Sequence, residues 1–215
     1  MNKSKAFWDN ASKNYDKTEE RFEYIHNKSR ENTKKYLEHS NIVLDYGCGT
    51  GTTSCEIAKH VKEIHAIDIS SKMIELAKAK AVNQKIGNID FEQGDIFDKK
   101  YEKESFDRIL AFNMLHTVPN SQAVVQRINE LLKPNGLFIS VTPCLGGKMS
   151  FLVRLQILLV QVLCKLGIIP VPIRRLRSAD LDDLIANGNF QTVDTEKIHK
   201  GATSYFIVAK KKSKP

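Results

Sequence analysis

The stretch VLDYGCGTG, Val43 to Gly51, constrains the fold more than any other part of the chain. The apolar run Ile42-Val43-Leu44 ends in Asp45. Glycines follow at Gly47, Gly49 and Gly51, and a helical pattern then runs to about His60. This is strand, tight loop, helix. The glycines let the backbone turn sharply and let a ligand lie against it with no Cβ in the way. The next apolar run, IHAID, ends in Asp68. A carboxylate at that strand end can accept hydrogen bonds from both hydroxyls of a ribose. The two features together point to a nucleoside-cofactor site.

The alternation continues along the chain. Residues 3–40 read as polar helix with scattered aromatics. Ser70 or Ser71 can cap a helix reaching about Gln84, and strands are expected at Asn88–Glu92 and Phe106–Phe112. Pro119 to Leu132 reads as helix, Lys133–Gly136 as a turn, and Leu137–Thr142 as a fifth strand. A short helix from Ser178 stops at Asn187-Gly188, and strands fit Phe190–Glu196 and Ser204–Lys210. The pattern predicts an α/β fold with a doubly wound, mostly parallel sheet and a final hairpin at one edge.

The loop narrows the choice of cofactor. It reads G-x-G-x-G, with Thr52 where the dinucleotide fingerprint needs its third glycine, and no phosphate loop of the G-x-x-x-x-G-K-[ST] type is present. Asp45, just before the first glycine, repels a pyrophosphate but suits a ligand carrying an amino group. S-adenosylmethionine fits this better than a nicotinamide dinucleotide. His, Cys, Asp and Glu form no metal-ligand cluster, and the four cysteines (Cys48, Cys55, Cys144, Cys164) form no C-x-x-C pair. The polar N-terminus carries no signal-like apolar segment, so a cytoplasmic setting is expected.

These residues resemble class I S-adenosylmethionine-dependent methyltransferases, in the small-molecule, methyltransferase type 11-like branch. VLDYGCGTG is similar to the family's first motif and IHAIDIS to the second. FEQGDIFD resembles the third, FDRILAFNMLHTVPN the fourth and LLKPNGLFISV the fifth. The resemblance covers residues 41–142 well and the last strands loosely. It implies a seven-stranded Rossmann-like sheet with an antiparallel last strand, and one methyltransferase domain over 1–215. That domain divides into a helical cap (1–40), a cofactor-binding core (41–142), a lid inserted after strand five (143–178) and a C-terminal helix with strands and a basic tail (179–215).

The resemblance also implies site residues. Asp95 would bind the adenine amino group and Ile96 would pack on the ring. Asp45, Gly47, Cys48, Gly49, Gly51, Asp68, Ile69, Met73, Phe112 and Asn113 complete the expected cofactor wall. FWDNASKNYD resembles a common opening of the cap, which places Tyr15 near the methionine end. Bland readings stand beside these: Asp95 as a turn cap, Tyr15 and Trp8 as anchors of the cap, His116 as a packed histidine.

Methyl transfer from a sulfonium is an in-line displacement, so proximity and alignment do most of the work. A base is needed only for a hydroxyl or a protonated amine. His116 is the better candidate; Tyr15 is poorer, since an unperturbed phenol titrates near ~10. Strand four lacks the Asn/Asp-Pro-Pro-Tyr/Phe segment of base-modifying relatives, which counts against a nucleic-acid adenine as acceptor.

Charge is unevenly spread. The net charge is +8, yet no acidic residue lies between Leu131 and Ala179, where seven bases stand: Lys133, Lys148, Arg154, Lys165, Arg174, Arg175 and Arg177. Lys210, Lys211, Lys212 and Lys214 form a tail expected to be a solubilising end. Ser150–Ser178 is the most apolar part of the chain. Arg154, Gln156, Gln161 and Lys165 make it too polar for a membrane span. Three roles are open to it: wall of a lipophilic pocket, contact with a membrane surface, or homodimer contact. The leading expectation is a methyltransferase acting on a small, lipophilic acceptor. An RNA or protein methyltransferase using the basic lid and tail, and a non-catalytic cofactor-binding scaffold or sensor, are the alternatives.

Overall fold

A computed structural model describes residues 3–147, 149, 151–200 and 202–212. Lys148, Ser150 and Lys214, named above for their charge or position, lie outside these. Seven strands, β1 (Ile42–Tyr46), β2 (Glu63–Asp68), β3 (Ile89–Gln93), β4 (Phe106–Phe112), β5 (Leu132–Pro143), β6 (Phe190–Lys200) and β7 (Ala202–Lys211), form one sheet in the order β3-β2-β1-β4-β5-β7-β6. β1 to β5 pair in parallel, whereas β7 runs antiparallel to both β5 and β6. The strand order reverses between β1 and β4, and ligands of such sheets bind beyond the strand ends at that point.

Side-chain alternation builds a core on each face of the sheet. On one side lie Leu44, Tyr46, Ile109, Phe138 and Ile207; on the other lie Val43, Leu110, Ile139, Val141 and Phe206. Leu44 and Leu110 are wholly buried. Truncating either to alanine would cost about 2–5 kcal/mol, because the neighbours relax only partly into the void.

The helices start and stop for local reasons. α1 (Lys3–Ala11), α2 (Tyr15–Glu19) and α3 (Glu23–Lys34) are linked by single 3-10 turns into the cap, and α4 (Thr52–Ile57) follows the glycine loop. Ser70 caps α5 (Ser71–Asn83), its hydroxyl accepting from the Met73 amide at 3.1 Å. Asn120 caps α6 (Ser121–Leu131) through the Ala123 amide at 3.0 Å. The remaining helices are α7 (Phe151–Lys165) and α8 (Ser178–Asn187).

Two local expectations are corrected and one helix stop is met. The Lys133–Gly136 turn is a bulge inside β5, between the paired residues Leu132 and Leu137, with Asn135 in the left-handed region at φ 64°. α8 does stop at Asn187 with Gly188 as its C-cap, and the left-handed residue is the next one, Asn189, at φ 62°. Gly188 is needed for packing: a Cβ there would lie 2.4 Å from Val125 Cγ1 on α6. Finally, Lys210 and Lys211 belong to β7 and not to a free tail. Lys211 is buried in β7, and its ammonium donates to the Leu132 carbonyl at 2.6 Å and to Glu104 at 3.2 Å.

Candidate functional site

The glycine loop is stitched to the neighbouring strand. The Gly47 and Cys48 amides donate to the Ile67 carbonyl at 2.8 and 3.0 Å. Gly47, Gly49 and Gly51 all have positive φ, which an L side chain resists. At Gly51 space is also lacking, since a Cβ would stand 2.8 Å from the Ala77 Cβ and the Phe91 ring.

Asp68 ends β2 against this loop. One carboxylate oxygen accepts from the Gly49 amide at 3.1 Å and the other from the Ser70 amide at 2.8 Å. Burial raises its pKa above the ordinary carboxylate value, partly countered by these two bonds. Each oxygen keeps a lone pair for an incoming hydroxyl.

The cap helices close over the loop. The Tyr15 ring lies over Gly49, where a Cβ would be 3.4 Å from it. Asp16 accepts from Thr50 and, at 3.0 Å, from the Lys80 ammonium. Asp9 accepts from the Ser70 hydroxyl at 2.6 Å and the Lys72 amide at 3.2 Å, joining α1 to the start of α5. The Lys5 and Ser70 hydrogen bonds hold the Asp9 carboxyl down to about 2.

Two cavities meet beneath the cap. The smaller, of about 120 Å³, is lined by Gly47, Gly49, Asp68, Ile69, Met73, Asp95, Phe112 and Asn113, with Trp8, Tyr15 and Thr117 among the others. The larger, of about 370 Å³, shares Tyr15, Gly47, Phe112 and Asn113 with it and adds Asp45 and Cys48. It is strongly acidic: Asp16, Glu19, Glu20, Glu23, Asp45 and Glu56 line it, against Arg30 and His26. Asp45 is buried and accepts from Ser54 at 2.5 Å, and burial lifts its carboxyl to about 6.

Ten of the twelve expected cofactor residues thus line the paired cavities. Gly51 sits behind the wall, wedged against α5. Ile96 is wholly buried among the core residues and lines neither cavity; it lies within the turn that Asp95 stabilises. Asp95 does cap that turn, accepting from the Phe97 amide at 3.0 Å, while also facing the smaller cavity.

The two catalytic candidates fare differently. Tyr15 lines both cavities, but burial, with Glu19, Asp68 and Asp16 nearby, pushes its phenol far above the usual range. It stays protonated. His116 lines neither cavity, and its Nδ1 is sealed from solvent without a partner. Burial lowers its pKa to about 4, so it is too weak a base for a hydroxyl at neutral pH. The packed-histidine reading is the one its surroundings match.

A histidine missed in the sequence occupies the place expected for His116. His26, on α3, lines the larger cavity. Its Nε2 lies 2.8 Å from a Glu19 oxygen, an ion-pair distance without hydrogen-bond alignment, and its Nδ1 lies 3.4 Å from the Asn113 amide nitrogen. No local motif marks His26. Only the fold brings it to the end of β4.

A doubly wound sheet with a glycine loop, strand-end acids and a helical cap over paired cavities defines a nucleoside-cofactor-binding class. The chain belongs to the methyltransferase domain family, whose model matches residues 37–166. It is 36% identical over 112 residues to a ubiquinone biosynthesis O-methyltransferase of Coxiella burnetii, a match covering 49% of this chain and 47% of that protein. It is 32% identical over 102 residues to a demethylmenaquinone methyltransferase of Lactococcus lactis, covering 46% and 40%. The chain therefore spans less than half the length of these relatives. In fold it is similar to the YcgJ protein from Bacillus subtilis, with TM-score 0.71 and 16% identity over 88% of this chain and all of that one.

Proposed function

We propose that this chain binds S-adenosylmethionine and transfers its methyl group to a small, largely apolar acceptor. The observation that carries this is Asp68, fixed by the Gly49 and Ser70 amides on the wall of the smaller cavity. Its spare lone pairs suit a ribose, and Asp95 with Ile69 and Met73 suits an adenine. Asp45, with its backbone glycines in the adjoining cavity, suits an ammonium group. When bound, the cofactor supplies an activated methyl group on a sulfonium. The relatives named for ubiquinone and menaquinone methylation support an apolar acceptor.

The chain's own residues would bind, align and exclude water. Tyr15, Phe112 and Asn113 stand where the two cavities join, so they would orient the acceptor against the donor. His26, which lines the larger cavity between Glu19 and Asn113, would take the proton from a hydroxyl acceptor. The six carboxylates of the larger cavity repel a polyanion. They count against RNA and favour an acceptor whose reacting end is neutral or cationic. Isothermal titration with S-adenosylmethionine tests the donor reading: binding is expected, and intact binding in Asp68→Ala would refute the site.

A further inference from the structure

The lid helix α7 presents its apolar stripe outward. Phe151, Leu155, Leu158, Leu159, Val162 and Leu166 are all exposed, Phe151 by 78% and Leu166 by 67%. At one residue per ~100° they occupy an arc only about 100° wide, so the exposed apolar surface is continuous. Arg154 and Lys165 fall together along one border of that arc. A helix with such a face normally buries it, since each exposed leucine forgoes about 1.5–3 kcal/mol. No described helix of the protein is long and apolar enough to cross a membrane.

The segment is held firmly at its ends. The Gly146 amide donates to the Leu176 carbonyl at 3.0 Å, and the Arg174 amide to the His116 carbonyl at 2.9 Å, next to Thr117 and Val118 of the smaller cavity. The Arg174 guanidinium reaches Ser121 at 3.1 Å, and that of Arg175 reaches the Leu145 carbonyl at 3.2 Å. These partners are neutral. Among the described residues, Arg154 and Lys165 on the border of the apolar stripe have no carboxylate partner, and neither do Arg174 and Arg175 in the segment that follows the helix.

We infer that α7 lies on the surface of an anionic membrane, its apolar stripe in the acyl boundary and its flanking bases on the headgroups. Charge decides between occupants. A second copy would bring the same cations face to face, whereas anionic lipid complements them. A groove between α7 and Ile173, lined by Leu158, Val162, Cys164 and Lys165, shares two residues with the stripe and offers an apolar chain a place to lie. This deepens the proposed function, because the same surface would present a membrane-dissolved acceptor to the strand-end cavities.

Vesicle co-sedimentation of the full chain tests it without cofactor, using phosphatidylcholine alone or with about 30% phosphatidylglycerol. Binding to the anionic vesicles is expected at low salt and should weaken as salt shortens the range of the charges. The double variant Leu155→Glu/Leu159→Glu should lose at least about tenfold in partitioning. Arg154→Glu and Lys165→Glu should each lose about fivefold or more, only on anionic vesicles. S-adenosylmethionine titrations on the same samples should be unchanged, so a failed donor site and a failed membrane face are separable. No vesicle association of the wild type at low salt, or association indifferent to these variants, would overturn the inference. So would a dimer that the leucine double variant dissociates while vesicle binding is absent.

Discussion

The glycine-loop region follows the C-terminal end of β1 and the lid helix follows that of β5, two parallel strands of one sheet, yet they are built in opposite ways. Around Gly51 every contact is filled: Ala77 and Phe91 leave no room for a methyl group, and Asp68, Asp16 and Asp9 tie loop, cap and α5 together. Along α7, Phe151, Leu155, Leu158, Leu159 and Val162 face outward, and the segment is fixed mainly at its ends. The difference teaches that the glycine-loop side is packed from within the chain, while α7 keeps an apolar face exposed, the face proposed above to meet a membrane.

Substitutions should expose this contrast. The largest effect is expected for Gly51→Ala, which adds a Cβ 2.8 Å from its neighbours at φ 75°. Overpacking and backbone strain should together cost about 3 kcal/mol, read as a fall in the urea midpoint. A loss under about 0.5 kcal/mol would break the claim of a rigid donor side. Next, Asp68→Ala should weaken S-adenosylmethionine about a hundredfold by calorimetry, since hydrogen bonds to a charged group contribute about 1.5–3 kcal/mol.

The two histidines sharpen the catalytic side. With a hydroxyl acceptor, His26→Ala should lower kcat about a hundredfold, and His116→Ala less than about threefold. Equal losses would remove His26 from the proposed base role. A pH series addresses Asp45, whose carboxyl is lifted to about 6 by burial. The folded protein holds that proton more tightly than the unfolded chain. Stability from this group is therefore greatest at low pH and is lost as pH rises through about 6. Cofactor affinity should run the other way, falling severalfold as pH drops through about 6, and Asp45→Asn should flatten that profile. The smallest effect belongs to the lid: Leu159→Ser should change the unfolding free energy in urea titrations by no more than about 0.5 kcal/mol, because the side chain is 60% exposed.

Much of this was legible before any coordinates. The strand–glycine–helix pattern, the order of the elements and the acids at the ends of β1, β2 and β3 followed from periodicity and from glycine's freedom at positive φ. These are properties of short stretches of chain. The errors fell where distance along the chain matters. His116 looked like the pocket histidine because it stands in a motif, but it lines neither cavity and its Nδ1 is buried without a partner. His26 carries no motif and is brought to Asn113 by the docking of α3 over the end of β4. Ile96, inside the turn that Asp95 caps, is buried in the core instead of lining a cavity.

Charged and apolar patterns had the same limit. Lys211 reads as part of a loose tail, yet the pairing of β7 buries it and gives its ammonium to the Leu132 carbonyl. In α7 nearly every turn is apolar on more than one side, so the sequence fixes neither face as the inner one. Local chemistry alone determined that the chain makes a glycine-loop, nucleoside-type sheet. Tertiary packing alone decided which histidine reaches the cavity and which face of α7 stays outside, because both depend on contacts between residues far apart in the chain.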